Sequence, residues 1–277
     1  DTALVDTGYV AHAGQTVALT EAALDGRPLH RVINTHLHSD HCGGNAALQA
    51  RWRPRTSIPA AEADAVSAWD NNALSFDATG QQCARFAFDD VLRDGDHLTL
   101  GGIDWHVMAA PGHDPHAVML FAPTPRILIS GDALWENGFG VIFPELEGES
   151  GFAEQQAILE RIAQLDVRVV IPGHGRPFTE VGAAIDASLG RLAYLRADPE
   201  RNALHAIRVL VKFKLLEQQA LSHAALFAWF TQTTLMTRLQ ARFFASQSMT
   251  DLLDAAIGAL VKAGAATVEQ GQIRNRD

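Results

Sequence analysis

The segment Thr35-His36-Leu37-His38-Ser39-Asp40-His41 concentrates side chains that bind metal ions. It holds three imidazoles and one carboxylate within six residues. Neutral imidazole and carboxylate suit Zn(II), and they also suit Fe and Mn. A bound divalent cation lowers the pKa of its water towards ~7, which makes hydroxide available at neutral pH. An ordinary polar loop does not account for so dense a set, so the segment predicts a metal site suited to hydrolysis.

The flanking residues indicate which elements position these side chains. The preceding run 31–35 is rich in β-branched residues and predicts a buried strand, and the following run 42–48 predicts a tight turn and then a helix. His36 and His38 are two residues apart, which is not the i, i+4 spacing of a helical zinc motif. The ligands are therefore expected on a loop at the C-terminal end of a strand, where ligand sites gather in α/β sheets.

Three more ligand-type residues close predicted strands in the same way. His113 follows Pro-Gly, Asp132 follows Ser-Gly and His174 follows Pro-Gly. A small, flexible pair lets the backbone turn sharply and aim one side chain. Four strand ends that carry metal-binding residues in one chain predict a common site.

These motifs, in order along residues 1–190, resemble those of the metallo-β-lactamase-fold superfamily. The resemblance rests on Leu-Val-Asp-Thr-Gly, Thr-His-Leu-His-Ser-Asp-His, Pro-Gly-His, Ser-Gly-Asp and Pro-Gly-His-Gly. It implies an α/β (α+β) fold, a four-layer αββα sandwich of two mixed sheets with the site at one edge. It also implies two divalent metal ions, with zinc expected first and iron or manganese as alternatives. Carried over residue by residue, the first ion would be held by His36, His38 and His113, the second by Asp40, His41 and His174, and both by a bridging Asp132.

Two positions refine the resemblance. True β-lactamases of the superfamily lack a bridging aspartate at the position of Asp132, so the chain is similar to the glyoxalase II, lactonase and nuclease branch. Many relatives read Gly-His-Ser-Pro-Gly-His where this chain has Gly112-His113-Asp114-Pro115-His116-Ala117. His116 thus stands where glycine is common, and Ala117 stands where a second histidine is common.

The resulting hypothesis is a binuclear hydrolase in which a metal-bridging hydroxide attacks an ester, thioester, lactone or related bond of a small molecule. Asp40 would bind metal and orient the hydroxide, and His116 would protonate the leaving group. Trp135 and Phe139 would contact the substrate, with packing in the core as an equal alternative. Two other functions stay open: a mononuclear iron oxidoreductase like the persulfide dioxygenases, and a nuclease or nucleic-acid-binding hydrolase.

Composition supports a division into two parts. The chain has 277 residues, of which 47% are hydrophobic and 19% charged, enough for a sizeable core. Residues 191–277 carry 11 basic and 7 acidic side chains, a net charge of +4, whereas residues 1–190 carry 11 basic and 25 acidic ones, a net charge of −14. We expect a metal-binding domain over 1–195 and a helical, winged-helix-like domain over 196–277, where predicted helices precede a hairpin at 266–273.

The remaining features concern partners and compartment. The net charge of −10 disfavours nucleic acid, although the basic tail keeps that partner open, and winged helices also serve in homodimers. No apolar run reaches the ~18 residues of a membrane span. The start lacks a signal peptide and an initiator Met, so we expect a cytoplasmic protein whose opening segment is missing. Cys42 and Cys83 are too few for a disulfide framework, and Cys42 is expected to be a small buried residue rather than a ligand.

Overall fold

The computed structural model describes residues 1–276. The chain divides into two compact units. The first contains residues 1–74 and 82–194, and the second contains residues 75–81 together with those from 195 onward. Nothing in the sequence had indicated that the short segment 75–81 groups with the C-terminal residues.

The first sheet of the first unit has the order β1-β2-β3-β4 and is parallel throughout. The expectation that both sheets are mixed is therefore wrong for this one. The physical reason is that parallel neighbours need a crossover, and each connection is long enough to make one. Its strands are β1 (Ala3–Val5), β2 (Arg31–Ile33), β3 (Arg55–Pro59) and β4 (Asp90–Leu92). Its helices are α1 (Ala13–Leu24), α2 (Ser39–Cys42), α3 (Asn45–Trp52) and α4 (Ala63–Ala68), with 3-10 turns at Val10–His12 and Ala60–Glu62.

The second sheet has the order β5-β6-β7-β8-β9 and is mixed, as expected. Its first four strands are antiparallel neighbours, whereas β8 and β9 run parallel because helices connect them. The strands are β5 (His97–Leu100), β6 (Ile103–Ala109), β7 (Val118–Ala122), β8 (Ile127–Gly131) and β9 (Val169–Pro172). The later helices of this part are α6 (Phe143–Glu147), α7 (Phe152–Ala163) and α8 (Val181–Arg196).

An apolar core joins the two sheets face to face. Ile33 and Leu92 of the first sheet pack in one cluster with Trp105, Val107 and Leu120 of the second. The outer face of the first sheet packs on α1 and α3 through a separate cluster that includes Leu24, Val32 and Leu48. On the other side, α7 buries Ile158, Leu159 and Ile162, and its Gln155 side chain donates to the Ala133 carbonyl beyond the end of β8. The αββα arrangement expected from the sequence is confirmed.

The second unit is mainly helical and also contains a three-stranded antiparallel sheet of order β10-β12-β11. The sequence predicted helices followed by a hairpin in this region, but it missed the strand β10, which is only three residues long. Its elements are α5 (Phe76–Thr79), α9 (Pro199–Gln218), β10 (Ala220–Ser222), α10 (His223–Gln232), α11 (Thr234–Phe243), α12 (Met249–Lys262), β11 (Ala266–Glu269) and β12 (Gln272–Asn275). Across residues 1–276, every helix is either too short or too polar to span a bilayer.

Candidate metal centre

Four of the candidate ligands lie on the loop and the short helix that follow β2. His36 and His38 belong to the loop, and α2 then begins at Ser39, with the His38 carbonyl accepting bonds from the amides of His41 and Cys42. Asp40 and His41 therefore lie on a single helical turn. His36 and His41 are buried, whereas His38 and Asp40 are partly buried, so all four face the interior at the edge of the sheet.

Each of the other three candidate ligands follows a strand of the second sheet. His113 comes after β6, Asp132 directly after β8, and His174 shortly after β9. Gly112 is required before His113, because its φ is +142° and an added Cβ would lie 2.6 Å from Oε1 of Gln155. The turn that aims His113 therefore depends on a residue without a side chain.

Gly173 keeps the space between the ligands open. A Cβ built on this residue would lie 2.3 Å from Oδ1 of Asp132 and 2.7 Å from Cε1 of His41. Any other residue would displace one of these side chains or fill the space between them. The glycine before His174 thus permits the turn and also leaves room for the side chains of the site.

The first set of side chains consists of His36, His38 and His113. One ring nitrogen from each lies within 4.8 Å of the others, and Nδ1 of His38 is 2.8 Å from Nε2 of His113. The other nitrogen of His113, Nδ1, is 2.5 Å from the Val141 carbonyl, so Nδ1 carries the proton and Nε2 offers its lone pair. The Nδ1 of His36 lies 3.0 Å from the Thr35 hydroxyl, which turns Nε2 of that ring towards the set.

The second set consists of Asp40, His41 and His174, whose ligand-type atoms also lie within 4.8 Å of one another. Oδ2 of Asp40 is 3.1 Å from Nε2 of His174 and 3.8 Å from Nε2 of His41. The three side chains come from α2 and from the loop after β9, so this set joins one sheet to the other.

Asp132 lies between the two sets. Its Oδ1 is 3.4 Å from Nε2 of His41, and its Oδ2 is 3.4 Å from Nε2 of His113 and 3.7 Å from Nε2 of His174. The indole Nε1 of Trp135 donates to Oδ1 at 3.2 Å and helps to fix the carboxylate. One buried carboxylate thus faces imidazoles of both sets.

Asp6 supports three residues of the metal-binding loop. Its Oδ1 accepts from the Thr35 amide at 2.8 Å, and its Oδ2 accepts from the Thr35 hydroxyl at 2.8 Å and lies 2.8 Å from Nδ1 of His41. Through Thr35 the same network reaches His36. Asp6 also has a φ of 57°, which is uncommon outside glycine. Such a carboxylate fixes the ring orientation and the tautomer of histidines that hold a metal.

Burial keeps the first set neutral. Desolvation, followed by the neighbouring imidazoles His41 and His38, holds the pKa of His36 well below its usual range. Desolvation and then His38 lower the pKa of His113 to about 4. The pKa of His38 is also lowered by burial. At neutral pH these rings are therefore unprotonated, which is the form that binds a metal.

The second set has a different electrostatic character, because the carboxylates of Asp40, Asp132 and Asp6 lie around its histidines. Burial opposes the ionised form of Asp40, yet His41 and a hydrogen bond from His174 outweigh it and lower the pKa of that carboxyl to about 2. Burial is likewise outweighed at Asp132, where His41 holds the pKa well below its usual range. Against the effect of burial, Asp132, Asp40 and Asp6 raise the pKa of His41. This negative pocket attracts a cation, and a metal ion would take the place of the proton on His41.

The donor atoms fit a divalent cation. Within residues 1–276, neither Nε2 of His36 nor Nε2 of His41 has a hydrogen-bond partner, although both atoms are buried. Buried polar atoms are rarely left unsatisfied, and each such atom calls for an explanation. Metal ions bound by these nitrogens, one in each set, would satisfy both atoms. Imidazole and carboxylate donors are those that Zn, Fe and Mn accept.

Cys42 adjoins these ligands in sequence but is not part of either set. Its buried thiol points at the carbonyls of Leu37 and His38, each 3.4 Å away, and at Sγ of Cys83, 3.7 Å away. Burial raises the pKa of the Cys42 thiol well above its usual value, which disfavours the thiolate that a metal would need.

His116 is held outside the two sets by a residue that sequence reasoning missed. Its Nδ1 lies 2.7 Å from Oε1 of Glu62, which is buried, and its amide donates to Oδ1 of Asp114 at 2.7 Å. Oδ2 of Asp114 is in turn 3.5 Å from Nε2 of His38. Glu62 shares one feature with the ligands that could have indicated it: it lies shortly after the C-terminal end of a strand, here β3.

The aromatic residues after Asp132 divide into two kinds. The prediction that Phe139 contacts the substrate is wrong, because its side chain has no exposed area and packs beneath the guanidinium of Arg191. Trp135 is partly buried and lies against His174, with ring centroids 5.2 Å apart. Phe143 lies against His38 at 5.1 Å. Trp135 and Phe143 therefore border the ligands, and Phe139 belongs to the core.

The chain has the same fold as proteins of known structure. The solved structure of the B3 metallo-beta-lactamase BLEG-1 superposes with a TM-score of 0.55 and 25% sequence identity, covering 66% of this chain and 85% of that one. A hydroxyacylglutathione hydrolase from Chromohalobacter salexigens is 34% identical over 153 residues, which are 54% of this chain and 49% of the relative. A second one, from Pseudomonas putida, is 30% identical over 206 residues, which are 72% of this chain and 62% of the relative.

The chain thus spans between about half and three-fifths of the length of these curated relatives. The model of the family described as the Metallo-beta-lactamase superfamily matches residues 1–174, the stretch that contains all seven candidate ligands. Together with the two facing sheets and the ligands at their edge, this match shows that the chain belongs to the metallo-beta-lactamase superfamily.

Proposed function

We propose that this chain is a binuclear metal-dependent hydrolase that cleaves an ester, thioester, lactone or related bond in a small molecule. The observation that carries the proposal is the placement of Asp132, which is 3.4 Å from Nε2 of His41 and 3.4 Å from Nε2 of His113. Two adjacent cations repel each other unless an anion lies between them. A carboxylate shared by two sets of ligands meets that requirement.

Each set would hold one ion, with zinc expected first and iron or manganese as alternatives. When bound, the two cations would activate water at neutral pH and polarise the scissile carbonyl. The ligands would be His36, His38 and His113 for one ion, Asp40, His41 and His174 for the other, and Asp132 for both.

Other side chains have separate roles. Asp40 would accept a hydrogen bond from the attacking water through the oxygen that is not needed as a ligand, and would so orient that water. His116, which lies on the loop after His113, donates the proton that the leaving group needs. Trp135 forms part of the substrate wall, because its ring borders His174 and its indole nitrogen is bonded to Asp132.

The names of the curated relatives favour a substrate class. Both describe hydrolysis of a hydroxyacylglutathione, and the bond cleaved in such a molecule is a thioester. We therefore place thioesters first among the substrates, followed by esters and lactones.

For the C-terminal residues we propose a winged-helix-like domain over 196–277 that serves in homodimer formation. The order of its elements supports the winged-helix-like description: α9, β10, α10, α11 and α12 precede the hairpin of β11 and β12, and β10 completes an antiparallel sheet with that hairpin. Size-exclusion chromatography with light scattering would test the dimer.

The test of the hydrolase is a metal-loaded activity screen. The purified protein is reconstituted with zinc, iron or manganese, its metal content is measured, and thioesters, esters, lactones and phosphodiesters are assayed. We expect about two metals per chain and the fastest turnover with a thioester. A single tightly held iron, with oxygen consumption on a persulfide, would replace this function by the dioxygenase.

A further inference from the structure

A buried carboxylate lies beside the candidate metal centre without belonging to it. Glu62 ends the 3-10 turn Ala60–Glu62 that follows β3, and only 6% of its surface is exposed. A charged carboxylate is costly to remove from water unless it is paired and hydrogen-bonded. Its partner is Nδ1 of His116, at 2.7 Å.

Two bonds fix His116 in place. Glu62 holds the ring, and Oδ1 of Asp114 accepts from the backbone amide of His116 at 2.7 Å, which fixes the loop. With Nδ1–H donated to Glu62, the proton that the ring exchanges is the one on Nε2. The side chain is 42% exposed, so a small molecule at the site can approach the ring.

The same cluster adjoins the metal centre. Ligand-type atoms of Glu62, Asp114 and His116 lie within 4.8 Å of one another, and Oδ2 of Asp114 is 3.5 Å from Nε2 of His38. The cluster that holds His116 therefore borders the candidate ligand His38, and the ring lies on that side of the site.

We propose that Glu62 is a positioning residue for His116, and that the two side chains act together to protonate the leaving group, an inference that rests on the proposed hydrolase function. As the bond between the acyl carbon and the leaving oxygen or sulfur breaks, that atom takes the electron pair and accepts the proton from Nε2 of His116. The ring becomes neutral, and a proton from water restores the imidazolium.

The charges around His116 support its role as a proton donor. The charged groups that face His116 are Glu62 and Asp114, both acidic, and the hydrogen bond to Glu62 raises the pKa of His116. A raised pKa keeps more of the ring protonated at neutral pH, as a proton donor requires. A neutral residue in place of Glu62 would reverse this effect.

The test compares two esters of one acid, an alkyl ester with a poor leaving group and an aryl ester with a good one. Only the poor leaving group needs a proton donor, so the E62Q and H116Q variants should lower kcat for the alkyl ester by about 100-fold and for the aryl ester by about threefold or less. KM and metal content should not change, and the E62Q/H116Q double variant should lose no more than H116Q. E160Q is the control, because Glu160 is exposed on α7.

Three further readouts separate positioning from mere structural support. The alkaline limb of the pH profile of kcat/KM should move to lower pH in E62Q, and E62D, which keeps the charge, should recover part of the rate. Titration by NMR, with the His116 signal assigned by its loss in H116Q, should give a lower pKa for His116 in E62Q than in the wild type.

Each failure has a distinct meaning. A metal-loaded wild type that cleaves no thioester, ester or lactone would reject the hydrolase, and with it the proton donor. Equal losses for both esters, or an unchanged pKa for His116 in E62Q, would overturn the pairing while leaving the hydrolase intact. If E62Q does not fold, by circular dichroism, then H116Q and E62D decide the question with the same two esters.

Discussion

Replacing Asp132 with Ala removes a carboxylate that faces both ligand sets at 3.4 Å. Two unit charges 4 Å apart interact by about 4 kcal/mol at an effective dielectric constant of about 20, so a carboxylate and a divalent cation interact by about 8 kcal/mol. Water that enters the vacated space would restore more than half of this interaction energy. A net loss of about 3 kcal/mol remains, which is roughly a 100-fold weaker Kd.

The loss of metal affinity should affect mainly one of the two ions. His36, His38 and His113 provide three neutral ligands, which suffice for one cation, whereas a second cation depends on an anion between the two. We therefore expect about two metals per chain in the wild type and about one in D132A, measured by elemental analysis after dialysis against a graded chelator. Hydrolysis should fall sharply. The melting temperature of the metal-free protein should change little, because the apolar clusters do not include Asp132.

Asp186 offers a matched control, since it is exposed on α8 and its change to Ala removes the same charge from a residue outside both ligand sets. D186A should keep the metal content and rate of the wild type. Two tightly held metals in D132A with an unchanged rate would remove the shared role of this carboxylate. One metal in the wild type would reject the binuclear site altogether.

Three other predictions follow from the same geometry. D6A should weaken metal binding by about 10- to 100-fold, because it releases Thr35 and His41, and unchanged chelator competition would refute this. In the metal-free protein, the lowered pKa of Asp40, about 2, stabilises the fold above the ordinary carboxyl pKa of about 4, and this stability is lost as the pH falls towards 2. D40N should therefore show a flatter dependence of unfolding free energy on pH in that range, measured by denaturant titration, and equal slopes would contradict it. We also expect weak hydrolysis of penicillins and carbapenems, because an aspartate at position 132 resembles the glyoxalase II, lactonase and nuclease branch and not the true β-lactamases; efficient turnover of either drug would show the reverse.

Much of the first unit could be predicted from local sequence. The β-branched run before His36, the Pro-Gly pair before His113 and the Ser-Gly pair before Asp132 are short-range signals, since each is a strand followed by a residue pair that permits a sharp turn. The parallel direction of the first sheet was not predicted, because direction depends on how each crossover packs and not on any one strand.

What the chain alone determined, then, is the chemistry of the ligands and their place at strand ends. The tertiary structure decided which side chains meet. Asp132 faces both His41 and His113 only because the two sheets bring their strand ends to one edge. Glu62 reaches His116, 54 residues away, by the same means, and no local pattern links the two. Phe139 and Trp135 stand four residues apart on one loop, yet only the packing around them places one in the core and the other beside the ligands. Contacts of this kind depend on the whole fold, since burial and partner are properties of a residue's surroundings and not of its neighbours in sequence.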